Sequence, residues 1–174
     1  ILANHVSDKV SEISELSEIS DSIANKYPRT KLEGGEVLVT VVGNPGDCMI
    51  VPNSFKGANV ARAVAVVKLG NIVSPEWLEL VINGYESQWF IDSRCNTTVQ
   101  KTLNLSDLYK LPVPVPSQEK RDEIIQISAS LRSLENAEKK VQEICQEMIR
   151  SLFSSWFIEF DPVKAKAEGK SPYG

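Results

Sequence analysis

Histidine, cysteine and closely spaced glycine are the residues by which a chain of this size would announce chemistry, and here they are few and scattered. His5 is the single histidine among 174 residues. It stands near the chain start with no array around it that would make a nucleophilic triad or a histidine-liganded metal, so it reads as a solvated terminal side chain. Cys48, Cys95 and Cys145 are odd in number, widely spaced and without a CxxC pair, which suggests neither a disulfide framework nor a zinc ribbon. They read as reduced, mostly buried thiols. The glycines lack both GxxxxGK[ST] and GxGxxG spacing, so no phosphate loop or dinucleotide fingerprint is present. The expectation is a chain without a catalytic group, metal or cofactor of its own.

Asn44-Pro45 begins the Asn-Pro-Pro-aromatic motif with which amino-methyltransferases hold a target base, but Gly46-Asp47 follow where proline and an aromatic are required. What remains is binding. Asn, Gln, Arg and Lys make bidentate contacts with base edges, and Thr and Ser serve phosphates or thymine methyls. Such residues gather in two loops. Asn53 to Arg62 offers Lys56, Asn59 and Arg62, with Asn44 on the turn before it; Arg94 to Lys101 offers Arg94, Asn96, Thr97, Thr98, Gln100 and Lys101. Composition does not decide between DNA contact and ordinary solvated loops, which carry the same residue types. The net charge of −4 and a pI near 5.2 speak against a nucleic-acid partner. The distribution softens that objection: residues 1–27 carry two basic and five acidic side chains, 28–110 eight of each, and 111–174 nine and ten.

Several elements could position these loops. From Val6 to Ala24, Val10, Ile13, Leu16, Ile19 and Ile23 recur at the spacing of an amphipathic helix, although an edge strand and loop would also fit. Glu36 to Val42 is β-branched and glycine-bounded, a buried strand, and Gly43 to Asp47 is a tight turn. Cys48 to Val51 and Val60 to Val67 are two more strands. Ser74-Pro75-Glu76 supplies an N-cap, a proline at the first helical position and a first-turn acid, which predicts a helix near 75–91. The Thr-Thr-Val of 97–99 has strand propensity within an otherwise polar surface stretch. Leu111-Pro112-Val113-Pro114-Val115-Pro116 must be extended, a stiff connector at a domain boundary.

Between Ser117 and Phe160 there is neither proline nor glycine. Ile124, Ile127, Leu131, Leu134, Val141, Cys145, Met148 and Leu152 follow an alternating three-four register interrupted only by Glu138, the pattern of a coiled-coil seam. A helix of about 40 residues would run roughly 60 Å and needs a partner to cover its stripe. The fold class is therefore α+β: a module of residues 1–110 with a small twisted sheet, a connector at 111–116, a long coiled-coil helix at 117–160 ended by Asp161-Pro162, and a polar tail at 161–174. No stretch approaches the ~18 apolar residues of a membrane helix and Ile1 to Asp8 lacks a signal peptide's regions, which makes the cytoplasm the expected location. The chain opens at Ile1 rather than Met and is read as a piece whose module lacks an N-terminal portion.

Four blocks, in order, resemble the DNA-specificity subunits of type I restriction-modification systems. They are Leu32 to Thr40 with Val42 to Gly46; Asn96 to Lys101 with Leu103 to Leu108; the proline run Leu111 to Pro116; and Leu152 to Val163, with its Trp156-Phe157…Phe160-Asp161-Pro162-Val163 ending. Together they span most of residues 32–163, and the proline run leading into a long helix with that ending is the most specific part. The resemblance implies a target-recognition domain reading one half of a split double-stranded DNA site, and a helix acting as the ruler between half-sites. It implies no chemistry in this chain. Modification subunits docked on the helical pair would methylate adenine with S-adenosylmethionine, and a restriction subunit would add the translocating nuclease, so S-adenosylmethionine, ATP and Mg belong to those partners. Such subunits carry two recognition domains and two antiparallel helices, whereas this chain shows one of each and could self-dimerise through its helix. Two other readings stay open: the specificity portion of a single-chain restriction-methyltransferase, and a coiled-coil scaffold that binds protein, which the acidic pI favours.

Overall fold

A computed structural model describes residues 1–10, 12–96 and 99–171. Its centre is strand β1, Val37–Thr40, flanked by β2, Cys48–Ile50, and β3, Val64–Val67, in the order β2-β1-β3. Both pairings are antiparallel, with Val37 opposite Ile50 and Val67, Val39 opposite Cys48 and Ala65, and Thr40 opposite Val64. Every residue of β1 is buried. The reason is a core on each face of the sheet. Leu38 points into a cluster with Val6, Leu32, Met49, Phe55 and Val64, whereas Val37 and Val39 point into one with Cys48, Leu78, Ile82, Ile91 and Leu103. Side chains alternate across a strand, so a strand covered on both sides needs apolar residues on both faces, which Val37 to Val42 supplies with Thr40 as its one polar member.

Ahead of β1, the spacing that suggested one amphipathic helix over 6–24 yields instead α1 at Ala3–Ser7, a 3-10 turn at Ile13–Glu15 and α2 at Asp21–Ala24. The apolar series reaches the core only in part: Val6 and Val10 are buried and Leu16 packs against the same cluster, while Ile13, Ile19 and Ile23 are exposed. Serines and acids at most intervening positions favour turns over a continuous helix. His5 is buried too, its Nδ1 accepting the Leu2 amide at 3.3 Å, so the solvated reading of that residue does not hold.

After the sheet, α3 covers Pro75–Asn83 and α4 covers Tyr85–Asp92. The single helix predicted over 75–91 is broken at Gly84, whose extended backbone (φ −69°, ψ 148°) caps both halves. The N-cap holds as read: Ser74 Oγ accepts the Trp77 amide at 3.3 Å, with Pro75 next in line. A short helix α5, Leu105–Leu108, precedes the proline run. That run has no regular structure, yet it is docked. Leu111 and Val113 pack against the second core cluster, and Trp77 Nε1 donates to the Pro114 carbonyl at 2.8 Å. The first compact unit accordingly reaches from Ile1 to Ile125.

Helix α6 runs from Gln118 to Phe153, 36 residues or about 54 Å. Its remainder beyond Ile125 belongs to the second unit, Gln126–Gly174, together with a π turn at Ser154–Ile158 and α7 at Asp161–Ala167. None of α6 is buried. The polar tail expected over 161–174 is helical in its first part, because Pro162 falls in the first turn of α7, where its missing N–H has no helical role. Phe160, at φ 55°, makes the corner, while Ser155 Oγ bonds Asp161 Oδ2 at 2.9 Å.

Candidate nucleic-acid interface

The sheet is extended at one end by two isolated rungs. Thr102 pairs antiparallel with Val42 on one side and Asn96 on the other. Leu103 N donates to the Val41 carbonyl at 2.8 Å and Gly43 N to the Lys101 carbonyl at 3.0 Å. The turn after β1 and the described residues of the loop after α4 are thereby joined through Thr102 at one edge of the sheet. This edge collects Asn44, Asn96, Gln100 and Lys101. A Cβ added to Gly43 would lie 3.7 Å from Gln100 Nε2, so these two loops touch at their tips. Arg62 belongs to the same end, since the adjacent Ala63 carbonyl accepts from Val41 N at 2.8 Å. It is exposed beside a cavity of about 520 Å3.

Free hydrogen-bonding capacity separates these residues. Asn44, Asn96 and Gln100 are exposed, and their side-chain amides have no hydrogen-bond partner among the described residues. Each can offer one donor and one acceptor to a base edge. Two of the cations are engaged: Lys101 Nζ pairs with Asp92 at 3.1 Å, and the Arg94 guanidinium lies 3.5 Å from the Phe90 ring centroid with Nη1 on the Phe90 carbonyl at 3.3 Å. Both pairs are solvent-exposed and weak enough to exchange for a phosphate.

Two of the sequence-read residues stand apart from this edge. Asn59 is structural, because its Nδ2 donates to the carbonyls of Ala24 and Tyr27 and to Thr30 Oγ1 at 3.1–3.3 Å, clamping the N-terminal segment to the loop after β2. Lys56 is exposed but follows β2, whose Ile50 pairs with Val37, so it lies toward the opposite end of the sheet. There Glu36 accepts the amides of Glu33 and Gly34, and Lys68 Nζ contacts Glu33 at 2.6 Å. That contact holds the Glu33 carboxyl below its ordinary pKa and raises the Lys68 ammonium. Thr97 and Thr98 lie outside the described residues.

Sequence reasoning missed the residues that shape the edge. Thr40, fully buried, donates from Oγ1 to the Asn44 carbonyl. Gln88 on α4 donates from Nε2 to the carbonyls of Gly46 at 3.2 Å and Ile82 at 2.8 Å. A threonine inside an apolar strand was the available signal, since a buried hydroxyl must find a partner.

The second unit carries the seam. Ile124, the one seam residue that falls in the first unit, is 44% exposed; Ile127, Leu131, Leu134, Val141, Met148 and Leu152 are 55–62% exposed, and Cys145 is exposed as well. Ile144 and Ile149, outside the predicted register, widen the stripe. Of the three thiols only Cys48 is buried, which corrects the expectation of mostly buried cysteines. Among the described residues there is no group of His, Cys, Asp and Glu that could hold a metal, and no helix long and apolar enough to cross a membrane.

Comparison with known proteins agrees with this architecture. The chain is 31% identical over 157 residues to the type I restriction enzyme EcoBI specificity subunit of Escherichia coli, covering 85% of this chain and 33% of that protein. It is 27% identical over 164 residues to the HindI specificity subunit of Haemophilus influenzae, covering 90% and 35%. The chain thus spans about a third of the length of these curated relatives. Its fold matches the crystal structure of the HsdS subunit from Thermoanaerobacter tengcongensis with a TM-score of 0.52, at 16% identity over 72% of this chain and 33% of that one. Residues 3–145 match the family model of the type I restriction modification DNA specificity domain, and this chain is a member of that family.

Proposed function

We propose that this chain is a DNA sequence-recognition module of a type I restriction-modification assembly and reads one half of a bipartite site. The observation that supports the reading is that Thr102 bridges the turn carrying Asn44 to the segment carrying Asn96 and Gln100, whose side-chain amides, like that of Asn44, have no hydrogen-bond partner among the described residues, in a domain of the specificity family. Amides suit base edges: Asn and Gln donate to and accept from adenine through two parallel bonds, and discrimination comes from such pairs rather than from net charge. Arg62, Arg94 and Lys101 at the same end supply phosphate contacts despite the overall −4. The seam of α6 pairs with a second such helix, and the pair docks modification and restriction subunits. Catalysis, with S-adenosylmethionine, ATP and Mg, resides in those subunits, and the assembly works in the cytoplasm.

Selection from a randomised duplex pool tests the reading, using the chain alone and with modification subunits. One constant half-site should be enriched. Recovery of the input distribution in both arms would overturn the proposal and leave a protein-binding scaffold in its place.

A further inference from the structure

We infer that Gln88 and Thr40 are positioning residues for base recognition, which never face DNA but hold the Gly43–Asp47 turn so that Asn44 is presented in one orientation. The inference rests on the reading of this edge as a DNA interface. Beside the contact of Ser7 Oγ with Asp47 Oδ2, the turn is tied from three directions. From beneath, Thr40 Oγ1 reaches the carbonyl of Asn44 and, at 3.3 Å, that of Asp47, while Gly46 N returns to the Thr40 carbonyl at 3.0 Å. From the side, Gln88 Nε2 joins the Gly46 carbonyl to that of Ile82. Ile82 lies in the last turn of α3, where the helix leaves carbonyls unpaired because Gly84 interrupts it, so one amide satisfies the helix end and the turn together. From the third side, Gly43 N is held by the Lys101 carbonyl.

Gly46 is shaped to this arrangement. Its φ is +101°, and a Cβ there would sit 3.0 Å from Gln88 Oε1 and 3.2 Å from Ile91 Cδ1. Asn44, by contrast, has its carbonyl held by Thr40 Oγ1 and the Asp47 amide, and its side-chain amide has no partner among the described residues. A recognition group held by locked neighbours loses little freedom on binding, and discrimination between bases depends on that geometry.

The test uses duplexes selected by the wild-type chain and their single-base variants. Asn44→Ala should cut the affinity ratio at one base position on the order of tenfold. Gln88→Leu and Thr40→Val, which keep side-chain bulk and remove the donor, should each lower the ratio at that same position and add nothing when combined with Asn44→Ala. Thr40→Ser should restore it, and affinity for unrelated duplex should stay unchanged in the Gln88 and Thr40 variants. Gln88→Met provides a second donor-free variant should Gln88→Leu not fold. Wild-type discrimination surviving the donor-free variants at both sites, or a loss spread evenly over all positions, would overturn the positioning role alone. A wild-type chain with no base preference would overturn the DNA reading and the positioning role with it.

Discussion

Among single residues, the exposed amides and the buried thiol behave oppositely. Gln100 is exposed with a free amide, and Gln100→Ala should cost about 1–3 kcal/mol at particular base positions in competition binding, leaving other positions untouched. Cys48 is nearly inaccessible at the sheet–helix interface, and burial, with help from the Glu79 charge, pushes its thiol pKa up to about 12 from 9.0. The folded chain therefore keeps the proton after the unfolded chain has released it. Above pH 9 the unfolded state gains by ionising, so the contribution of Cys48 favours folding less and less up to about pH 12. Cys48→Ala should flatten the alkaline limb of a Tm-versus-pH curve; an unchanged limb would assign that limb to other groups. Asn59 shows where residue-level reading stops. Its type suits a base edge, but its three partners lie 29–35 positions away in sequence, and nothing local marks them.

At the scale of elements, legibility followed the strength of the local pattern. β1 was readable because a strand covered on both faces must be apolar at nearly every position, and α3 because Ser74-Pro75 writes its own start. The stretch 6–24 met a helical spacing without forming one helix, since side chains that bond their own backbone favour turns over helix. Gly84 went unread as a break because one glycine inside a helical pattern costs only about 1 kcal/mol and is often tolerated. The edge itself was legible as two polar loops, not as one surface, because the rungs through Thr102 are isolated and carry no strand-length signature. Gly46 gives this scale a sharp test. Gly46→Ala places a Cβ at positive φ against Ile91 and should destabilise by about 1–3 kcal/mol, read as a lowered Tm. An unaltered Tm would mean that the turn relaxes freely, and the rigid presentation of Asn44 would lose its support.

For the whole molecule, the seam is the feature that an isolated chain leaves unsatisfied. Large apolar groups from Ile124 to Leu152 stand about half exposed along one side of α6, and burying such a stripe against a second helix is what sustains a coiled coil. The chain is predicted to self-associate in sedimentation equilibrium, with Leu131→Glu or Leu134→Glu shifting it to monomer without loss of helicity. A mass independent of concentration would count against pairing of identical helices. The heptad made this rod readable from its sequence alone, while α7 was too short and polar to be seen. One threonine has a wider bearing. Since Thr102 is bracketed by the two segments offering amides, neither segment is an independent cartridge. A residue gained or lost in either would slip the shared rung and turn its neighbours' side chains to the other face. On the DNA reading proposed above, a change of base preference made in one of these segments is therefore expected to need a matching change in the other.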